Sequence, residues 1–531
     1  MKKLCSILLV TMLIATALLT VGCSKKEYVL DDEALVYTLI DDNYRTFYEI
    51  FVGGFSDSNG DGIGDINGLI SRLDYLNDGD PSSGKSLGVT GLWLMPVTPS
   101  LTYHKYDVYD YKMIDERYGT MDDMRNLVSE CHKRGVSVVI DMVLNHTSYQ
   151  HKWYKACQSA ISKGDFDNKY ASYYTIGTTP QPDWYYLATD PSGTKCYYEG
   201  NFSSEMPELN WDNRDVREEI VSIADFWLKD VGIDGFRLDA VKYFYYGDDA
   251  KNVQALKWFS DECKKIKSDV YLVAENWSDQ SSVLNYYQSV NCFDFVFSEL
   301  SGYVISSAKF ATASIFTTAV QNYYNATKKA NPDAIMAPFI SNHDMDRVGG
   351  YLNTNDYSYQ LSAAMYLLLP GNPYIYYGEE IGMCGNRAPG VSTDADRRLA
   401  MRWGDDDTVA NPVGATYPEA SQKNDTVAKQ RSDKNSLYNH YKKAIALRQS
   451  NPEIARGSVE AVKIVGYDNL AILKYIYNGS TVYVLHNLSS AEYDVDVSSF
   501  GVTTLRGWLT NKATLSGNTL QLGAFSSVVL K

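Results

Sequence analysis

The stretch Gly235-Phe236-Arg237-Leu238-Asp239-Ala240-Val241-Lys242-Tyr243 sets an arginine and a carboxylate two residues apart at the end of a short apolar run. Side chains of a strand alternate with period two, so Arg237 and Asp239 project to the same side and can share one site. An aspartate beside a guanidinium stays ionised and is able to act as a nucleophile. The same two residues could equally form a buried ion pair that only fixes register. The nonapeptide alone leaves both readings open.

Similar β-branched or aromatic runs recur on either side, alternating with amphipathic stretches from about Tyr37 to Tyr377. That alternation is the signature of parallel βα units. Strands are predicted at Thr46–Phe51, Gly91–Met95, Ser137–Asp141, Gly235–Asp239, Tyr271–Ala274, Phe293–Phe297, Ala337–Ile340 and Tyr374–Tyr377. Helices are predicted at Ile66–Leu76, Met121–Lys133 and Val216–Lys229, the last with Val216, Ile220, Ala224 and Trp227 on one face. Eight such units predict an α/β fold of the (β/α)8 TIM-barrel type.

The rhythm breaks after the third strand. Residues 146–210 are rich in Tyr, Trp, Gly, Pro and Asn and poor in helical periodicity, so they read as an inserted domain rather than a connection. Beyond the eighth strand a polar stretch, 404–433, leads into a last helix, Asn435–Gln449. From about Ile454 the pattern becomes short strands and turns: Ala461–Gly466, Ala471–Tyr477, Thr481–Asn487 and Tyr493–Val497, with a hairpin turn at Tyr477-Asn478-Gly479-Ser480. The predicted organisation is a barrel in two parts, 37–145 and 211–453, an inserted domain 146–210, and a C-terminal all-β sandwich, 454–531.

Composition narrows the partners. Hydrophobic residues make up 45% and charged residues 21%, ordinary for a globular chain, but 43 Tyr and 9 Trp are many, which suits flat ligands such as sugars. A net charge of −16 argues against nucleic acid or an anionic membrane surface, both of which call for basic patches.

The first 22 residues carry Lys2-Lys3, an apolar core from Ile7 to Leu19, then Thr20-Val21-Gly22-Cys23, the layout of an export signal. A small residue directly before Cys is similar to a bacterial lipoprotein cleavage box, which would make Cys23 a lipidated N-terminus, residues 23–36 a tether, and the protein exported and anchored by lipid at the cell surface or membrane. An ordinary secretory peptide or an uncleaved anchor helix is the alternative. No later run reaches about 18 apolar residues, so spanning is not expected. Beyond Cys5 and Cys23 the cysteines are Cys131, Cys157, Cys196, Cys263, Cys292 and Cys384, with no CxxC pair. Export permits a Cys157–Cys196 disulfide; scattered buried thiols are the other reading.

Barrel enzymes place their chemistry at the C-terminal ends of the strands. Here those ends read Asp141-Met-Val-Leu-Asn145-His146, Arg237-Leu-Asp239, Glu275-Asn276-Trp277 and Ser341-Asn342-His343-Asp344. Packing has no need for acids crowded at one rim, so a functional site is expected. A second cluster follows strand one: Asp57-Ser-Asn59-Gly-Asp61-Gly62-Ile63-Gly-Asp65. Oxygen-bearing residues at alternate positions with Gly at the sixth resemble the first part of an EF-hand loop, although position twelve is Gly68. Calcium held by Asp57, Asn59, Asp61, Asp65 and the Ile63 carbonyl is the expectation; a Gly/Asp-rich turn without metal is the alternative.

Taken together, the four strand-end blocks and Met206-Pro207-Glu208-Leu209-Asn210 resemble the α-amylase family of glycoside hydrolases over about Tyr37 to Lys531. The resemblance implies that the excursion is that family's domain B and the β-rich tail its domain C. It implies Asp239 as nucleophile, Glu275 as general acid/base and Asp344 as the third acid. Arg237, His146 and His343 would be partners of the sugar ring and carboxylates, and Tyr106 the stacking platform. Similar metal loops occur in the family, and Asn145 matches a further calcium position in many relatives. Ala240 with Lys242 looks like the α-1,4-active members, whereas oligo-1,6-glucosidase-like relatives usually carry a larger β-branched residue at 240. The expected activity is a retaining endo-hydrolase of α-1,4 bonds in starch and maltodextrins. An α-1,6- or mixed-specificity glucosidase or transglycosylase, and a non-catalytic surface glucan-binding protein, are the alternatives.

Overall fold

The structure, a computed structural model, describes residues 37–352, 357–387 and 394–531. The expected export signal, Cys23 and the tether lie outside the described residues. In chain order the first strands are β1 (Phe47–Ile50), β2 (Gly91–Leu94), β3 (Ser137–Met142), β4 (Ile176–Gly177), β5 (Trp184–Thr189), β6 (Lys195–Glu199), β7 (Gly235–Leu238), β8 (Tyr271–Ala274), β9 (Asn291–Cys292) and β10 (Tyr374–Tyr376). Seven of them form one parallel sheet in the order β10-β1-β2-β3-β7-β8-β9. The remaining gap is bridged by residues 336–340: Phe293 pairs in parallel with Ala337, Asn372 N–H donates to the Met336 carbonyl (2.7 Å) and Tyr374 N–H to that of Pro338 (2.9 Å). The sheet thereby closes on itself as a TIM barrel.

The sixth and seventh predicted strands need correction. The sixth is Asn291–Cys292, and the aromatic run Phe295–Phe297 curls into a 3-10 turn. Asp294 explains the curl, because its buried carboxylate takes the Ala337 N–H (2.8 Å) and the Tyr287 and Tyr323 hydroxyls (2.6 and 2.8 Å). The seventh is reduced to the one bridge at Ala337, and Pro338 next to it has no N–H to extend a ladder. Helix boundaries also shift. Met121–Lys133 is as predicted, with a Thr120/Asp123 capping box. Ile66–Leu76 breaks at Arg72 into Ile66–Ser71 and Leu73–Leu76, and the helix ahead of β7 begins at Arg214 and ends in a π-helical turn, Phe226–Val231.

Interior side chains fill the barrel. Phe47 stacks on Tyr374 (4.7 Å between ring centroids, 7°) and on Tyr271 (5.2 Å, 23°), and Trp93, Val139, Val273, Phe293 and Phe339 complete the buried layer. Gly235 opens β7 because nothing larger fits there: a Cβ would lie 1.8 Å from the Tyr271 carbonyl oxygen.

The excursion after β3 packs a three-stranded antiparallel sheet, β4-β6-β5, against a helix, Lys152–Lys163. That helix falls in a stretch read as aperiodic, yet Trp153, Tyr154, Cys157, Ala160 and Ile161 form a buried stripe. Bridges His146–Glu208 and Tyr174–Leu209 seat the excursion on the rim at the end of β3. The C-terminal part holds β11 (Ser458–Val462), β12 (Leu470–Tyr477), β13 (Ser480–Asn487), β14 (Tyr493–Asp496), β15 (Leu505–Leu509), β16 (Ala513–Ser516), β17 (Thr519–Leu522) and β18 (Ser527–Leu530). They form a five-stranded sheet, β11-β12-β13-β18-β15, and a three-stranded one, β14-β17-β16, around Ile472, Leu485, Val495, Leu520 and Val528. Asn478 and Gly479 both take positive φ (49° and 78°), as the turn between β12 and β13 requires. All six cysteines of the described residues are buried and unbridged, Cys157 and Cys196 included. No helix among the described residues is long and apolar enough to cross a membrane.

Candidate active site

At the end of β7 the Arg237 guanidinium is almost wholly buried, between Trp93 (5.2 Å from its carbon to the ring centroid) and Tyr106 (5.8 Å). Its Nη1 donates to Asp239 Oδ1 (2.5 Å) and to Asp141 Oδ1 (2.8 Å), and its Nη2 lies 3.7 Å from Glu275 Oε2. One cation therefore gathers acids from the ends of three neighbouring strands, which the parallel register makes adjacent: Asp141 pairs with Arg237, and Arg237 with Val273.

The chain turns sharply after Asp239. Ala240 takes φ 49°, ψ 35°, a left-handed conformation that costs an L-residue about 1–2 kcal/mol. The turn aims the Ala240 N–H at Glu275 Oε2 (2.8 Å). Burial pushes the Glu275 carboxyl up to about 7; Arg237 pulls it down, while Asp239 and Asp344 push it further up. Burial likewise raises Asp141 to about 6 despite Arg237.

Asp344 faces them from beyond Ala337. Burial disfavours its charge, but His343, Arg398 and Arg237 together hold its carboxyl well below the ordinary range. Arg398 Nη2 donates to Asp344 Oδ1 (2.8 Å), and His343 Nε2 is 3.0 Å from Asp344 Oδ2. His343 Nδ1 donates to Glu49 Oε1 (2.5 Å), a carboxylate from β1. Burial opposes charge on His343, yet Asp344 and Glu49 raise it to about 9, so it is an imidazolium at neutral pH.

Asp239, Glu275, Asp344, Tyr106, His146 and Lys242 line one cleft of about 1250 Å³, with His104, Phe202, Tyr243, Trp277, Asp394 and Arg398. Arg237 and His343, both expected as site residues, do not open onto it. They lie beneath and act on the acids, since nothing of His343 is exposed and its nitrogens are engaged by Glu49, Tyr106 and Asp344. Tyr106 lies nearly parallel to the His343 ring (5.5 Å, 13°), with its hydroxyl between His343 Nε2 (2.7 Å) and Asp141 Oδ2 (3.0 Å). His146 is anchored by its Nε2 to the Tyr106 carbonyl (3.1 Å), and burial lowers its pKa. Lys242 Nζ donates to the Trp277 carbonyl (2.7 Å). Reading the sequence missed Glu49 and Arg398; the signal for Glu49 is that an acid interrupts an otherwise apolar first strand.

The Asp57–Asp65 loop lies apart from the cleft. Gly60 and Gly62, at φ 83° and 86°, fold it so that its oxygens meet its own amides: Asp57 accepts from Asn59, Gly60 and Gly62, Asn59 from Asp61, and Asp61 from Ile63. Asp65 accepts from Gly68 N and Ser58. Among the described residues no three His, Cys, Asp or Glu side chains converge as a metal group. The donor set is nonetheless all hard oxygen, and an ionised carboxylate with about four lone-pair sites can accept an amide and still ligate. Asn145 is buried with Oδ1 unpartnered, near Glu208, whose carboxyl burial and then Glu199 push up to about 7.

Residues 49–457 match the family described as "Alpha amylase, catalytic domain". The chain is 36% identical over 497 residues to α-amylase 3 of Dictyoglomus thermophilum, covering 91% of this chain and 92% of that protein. It superposes on Eubacterium rectale Amy13B with a TM-score of 0.86 at 40% identity, over 93% of this chain and 97% of the other. An oligo-1,6-glucosidase of Bacillus cereus is 28% identical over 84% of this chain and 90% of its own length. A barrel with three acids gathered at its rim, matched over most of its length by such relatives, makes this chain a glycoside hydrolase of the α-amylase family.

Proposed function

We propose that the enzyme is a retaining endo-α-1,4-glucanohydrolase, an α-amylase, acting on starch and maltodextrins. The observation that carries the reading is the asymmetry around Arg237: Asp239 has the guanidinium at 2.5 Å as counter-ion, while Glu275, at 3.7 Å, is pushed up to about 7 and keeps its proton near neutrality. A retaining glycosidase needs that division of labour between two carboxyls. Asp239 attacks C1 of the sugar as Glu275 gives its proton to the departing oxygen; Glu275 then takes a proton from water as the water displaces Asp239. Asp344, held ionised by His343 and Arg398, faces the positive charge that grows on the ring. Tyr106, His146 and Lys242 line the path of the glucan, and Arg237 and His343 fix the acids from below.

Ala240 and Lys242 support α-1,4 rather than α-1,6 specificity. Calcium is part of the proposal, held by Asp57, Asn59, Asp61, Asp65 and the Ile63 carbonyl, where a divalent cation would brace the loop after β1. So is export with lipid anchoring at Cys23, to be tested by incorporation of labelled palmitate and its loss in Cys23→Ser. The function itself is tested by timed product profiling on amylose, pullulan and isomaltose, with NMR of the first anomer released from maltoheptaose. Internal cleavage giving α-anomers, abolished in Asp239→Asn, is expected. Faster turnover of isomaltose than of maltoheptaose would assign the α-1,6 specificity instead, and equal inactivity of wild type and variant on every α-glucan would leave a binding protein.

A further inference from the structure

Lys105 stands between His104 and Tyr106, which both line the cleft, and its own side chain turns the other way, 1% exposed. Its φ of 63° is a left-handed conformation that glycine takes freely and a lysine does not. Burying the ammonium is a second cost. What the lysine adds is an anchor behind the cleft wall. Its Nζ donates to Asp115 Oδ2 and lies 4.4 Å from the Tyr118 ring centroid. Asp115 is fixed in turn: Arg117 donates to it through Nε (3.0 Å), Nη2 (2.9 Å) and its backbone N–H (3.0 Å), and the Asp115 N–H donates to the Val97 carbonyl (2.9 Å), shortly past β2. The loop after β2 is thereby closed on itself beneath the two residues it presents.

Resting on the glucan reading of the cleft, we propose that Lys105 is a positioning residue for the reacting sugar, its buried bond to Asp115 holding the loop after β2 so that His104 and Tyr106 keep their places in the cleft wall. From this loop the Tyr106 hydroxyl has to reach Asp141 Oδ2 (3.0 Å) and His343 Nε2 (2.7 Å). The Tyr106 N–H donates to His104 Nδ1 (3.2 Å), so the two residues that flank Lys105 move together. Backbone strain held beside a binding wall is of the kind that functional sites keep. The charge on the anchor is also tunable. Burial pushes Lys105 down to about 8; Asp115 and Asp107 oppose this and Arg117 adds to it, while the Tyr118 hydroxyl, raised by burial, stays neutral. Above about pH 8 the ammonium therefore loses its proton, and the neutral amine holds Asp115 more weakly than a charged donor does.

The test follows kcat/KM for α-maltosyl fluoride, whose fluoride departs without a proton from Glu275, across about pH 6 to 9.5 in wild type, Lys105→Met, Lys105→Gly and Lys105→Arg. Wild type is expected to fall with a limb centred near about 8. Lys105→Met, which keeps the length and loses the charge, should be lower by about ten- to a hundredfold at pH 7 and level through that limb. Lys105→Gly, which relieves the left-handed backbone, should lose as much as Lys105→Met. Lys105→Arg, charged at every pH used, should recover most of the activity and also lack the limb. Full activity in Lys105→Met or Lys105→Gly would overturn the anchor, and so would a limb near 8 that persists in Lys105→Met. A wild-type profile without a limb near 8 would overturn it whatever the variants do, while leaving the proposed function standing. Wild type inactive on the fluoride and on every α-glucan would overturn the proposed function and the anchor with it.

Discussion

Glu275 carries the sharpest functional prediction because its protonation is tunable. The proton has to be present for the leaving oxygen to depart, and burial with Asp239 and Asp344 nearby sets the carboxyl to about 7. The sign is fixed: kcat/KM for maltoheptaose should fall as pH rises, with the alkaline limb centred near about 7. Glu275→Gln should lose about 10²–10⁴-fold in kcat and flatten that limb, while α-maltosyl fluoride, which needs no proton on its leaving group, should lose far less. An alkaline limb that survives unchanged in Glu275→Gln would mean another group supplies the proton. Ala240 belongs to the same argument. Its left-handed backbone is what turns its N–H onto Glu275, and a small residue tolerates that conformation better than a β-branched one.

Strand ends were legible because a parallel barrel writes its site at fixed places: an apolar run of β-branched and aromatic residues, then a polar residue. That pattern put Asp141, Asp239, Glu275 and Asp344 at one rim, and the resemblance singled out Asp239, Glu275 and Asp344 among them. The supports were not legible in that way. Glu49 meets His343 across 294 residues of chain and Arg398 meets Asp344 across 54, and no local period announces a contact of that kind. The sixth strand misled because Phe295–Phe297 has strand composition while Asp294, one residue earlier, spends its hydrogen bonds on Ala337 and two tyrosines and bends the chain. The loop after β1 was legible as a donor pattern, and it carries its own prediction. Its aspartates are pinned by backbone amides of neighbouring residues, Asp57 by Asn59, Gly60 and Gly62, Asp61 by Ile63, and Asp65 by Ser58 and Gly68, and Thr408 donates to Asp57 (2.7 Å). A bound cation would add about 2.7 kcal/mol at a hundredfold excess over Kd, so the thermal midpoint should fall on dialysis against EDTA and recover with calcium, and Asp61→Ala should be insensitive to both treatments. A wild-type midpoint unmoved by EDTA would rule out a structural cation there.

The buried titratable groups of the two β-rich parts and the barrel oppose one another, and that opposition sets how stability follows pH. Burial raises Asp141 to about 6 and Glu208, Glu275, Asp294 and Glu379 to about 7. Between their unfolded values near 4 and these folded ones, the native state binds the extra protons, so each contributes a loss of stability as pH rises. Burial lowers His104 and His440 to about 4 and His151 and His486 to about 3. For these the unfolded chain binds the extra protons below its own value near 6.5, so each contributes a gain as pH rises to that point and nothing beyond it. Across about pH 4.5–6.5 the two sets nearly cancel, each proton weighing about 1.4 kcal/mol per pH unit. Above 6.5 the histidines fall silent while the carboxyls finish titrating at about 7, and His343, raised to about 9, begins to lose the stabilisation it holds as an imidazolium between Asp344 and Glu49. The thermal midpoint should therefore be level from about pH 4.5 to 6.5 and decline from there to about pH 8. His486→Gln removes one rising contribution without touching the cleft, because His486 lies in the C-terminal sheet with Ser527 as its partner (2.7 Å). Its midpoint should fall with rising pH already across the range in which wild type is level. A wild-type midpoint that climbs steadily through pH 7.5 would show that the buried carboxyls and His343 do not hold their protons as their surroundings require.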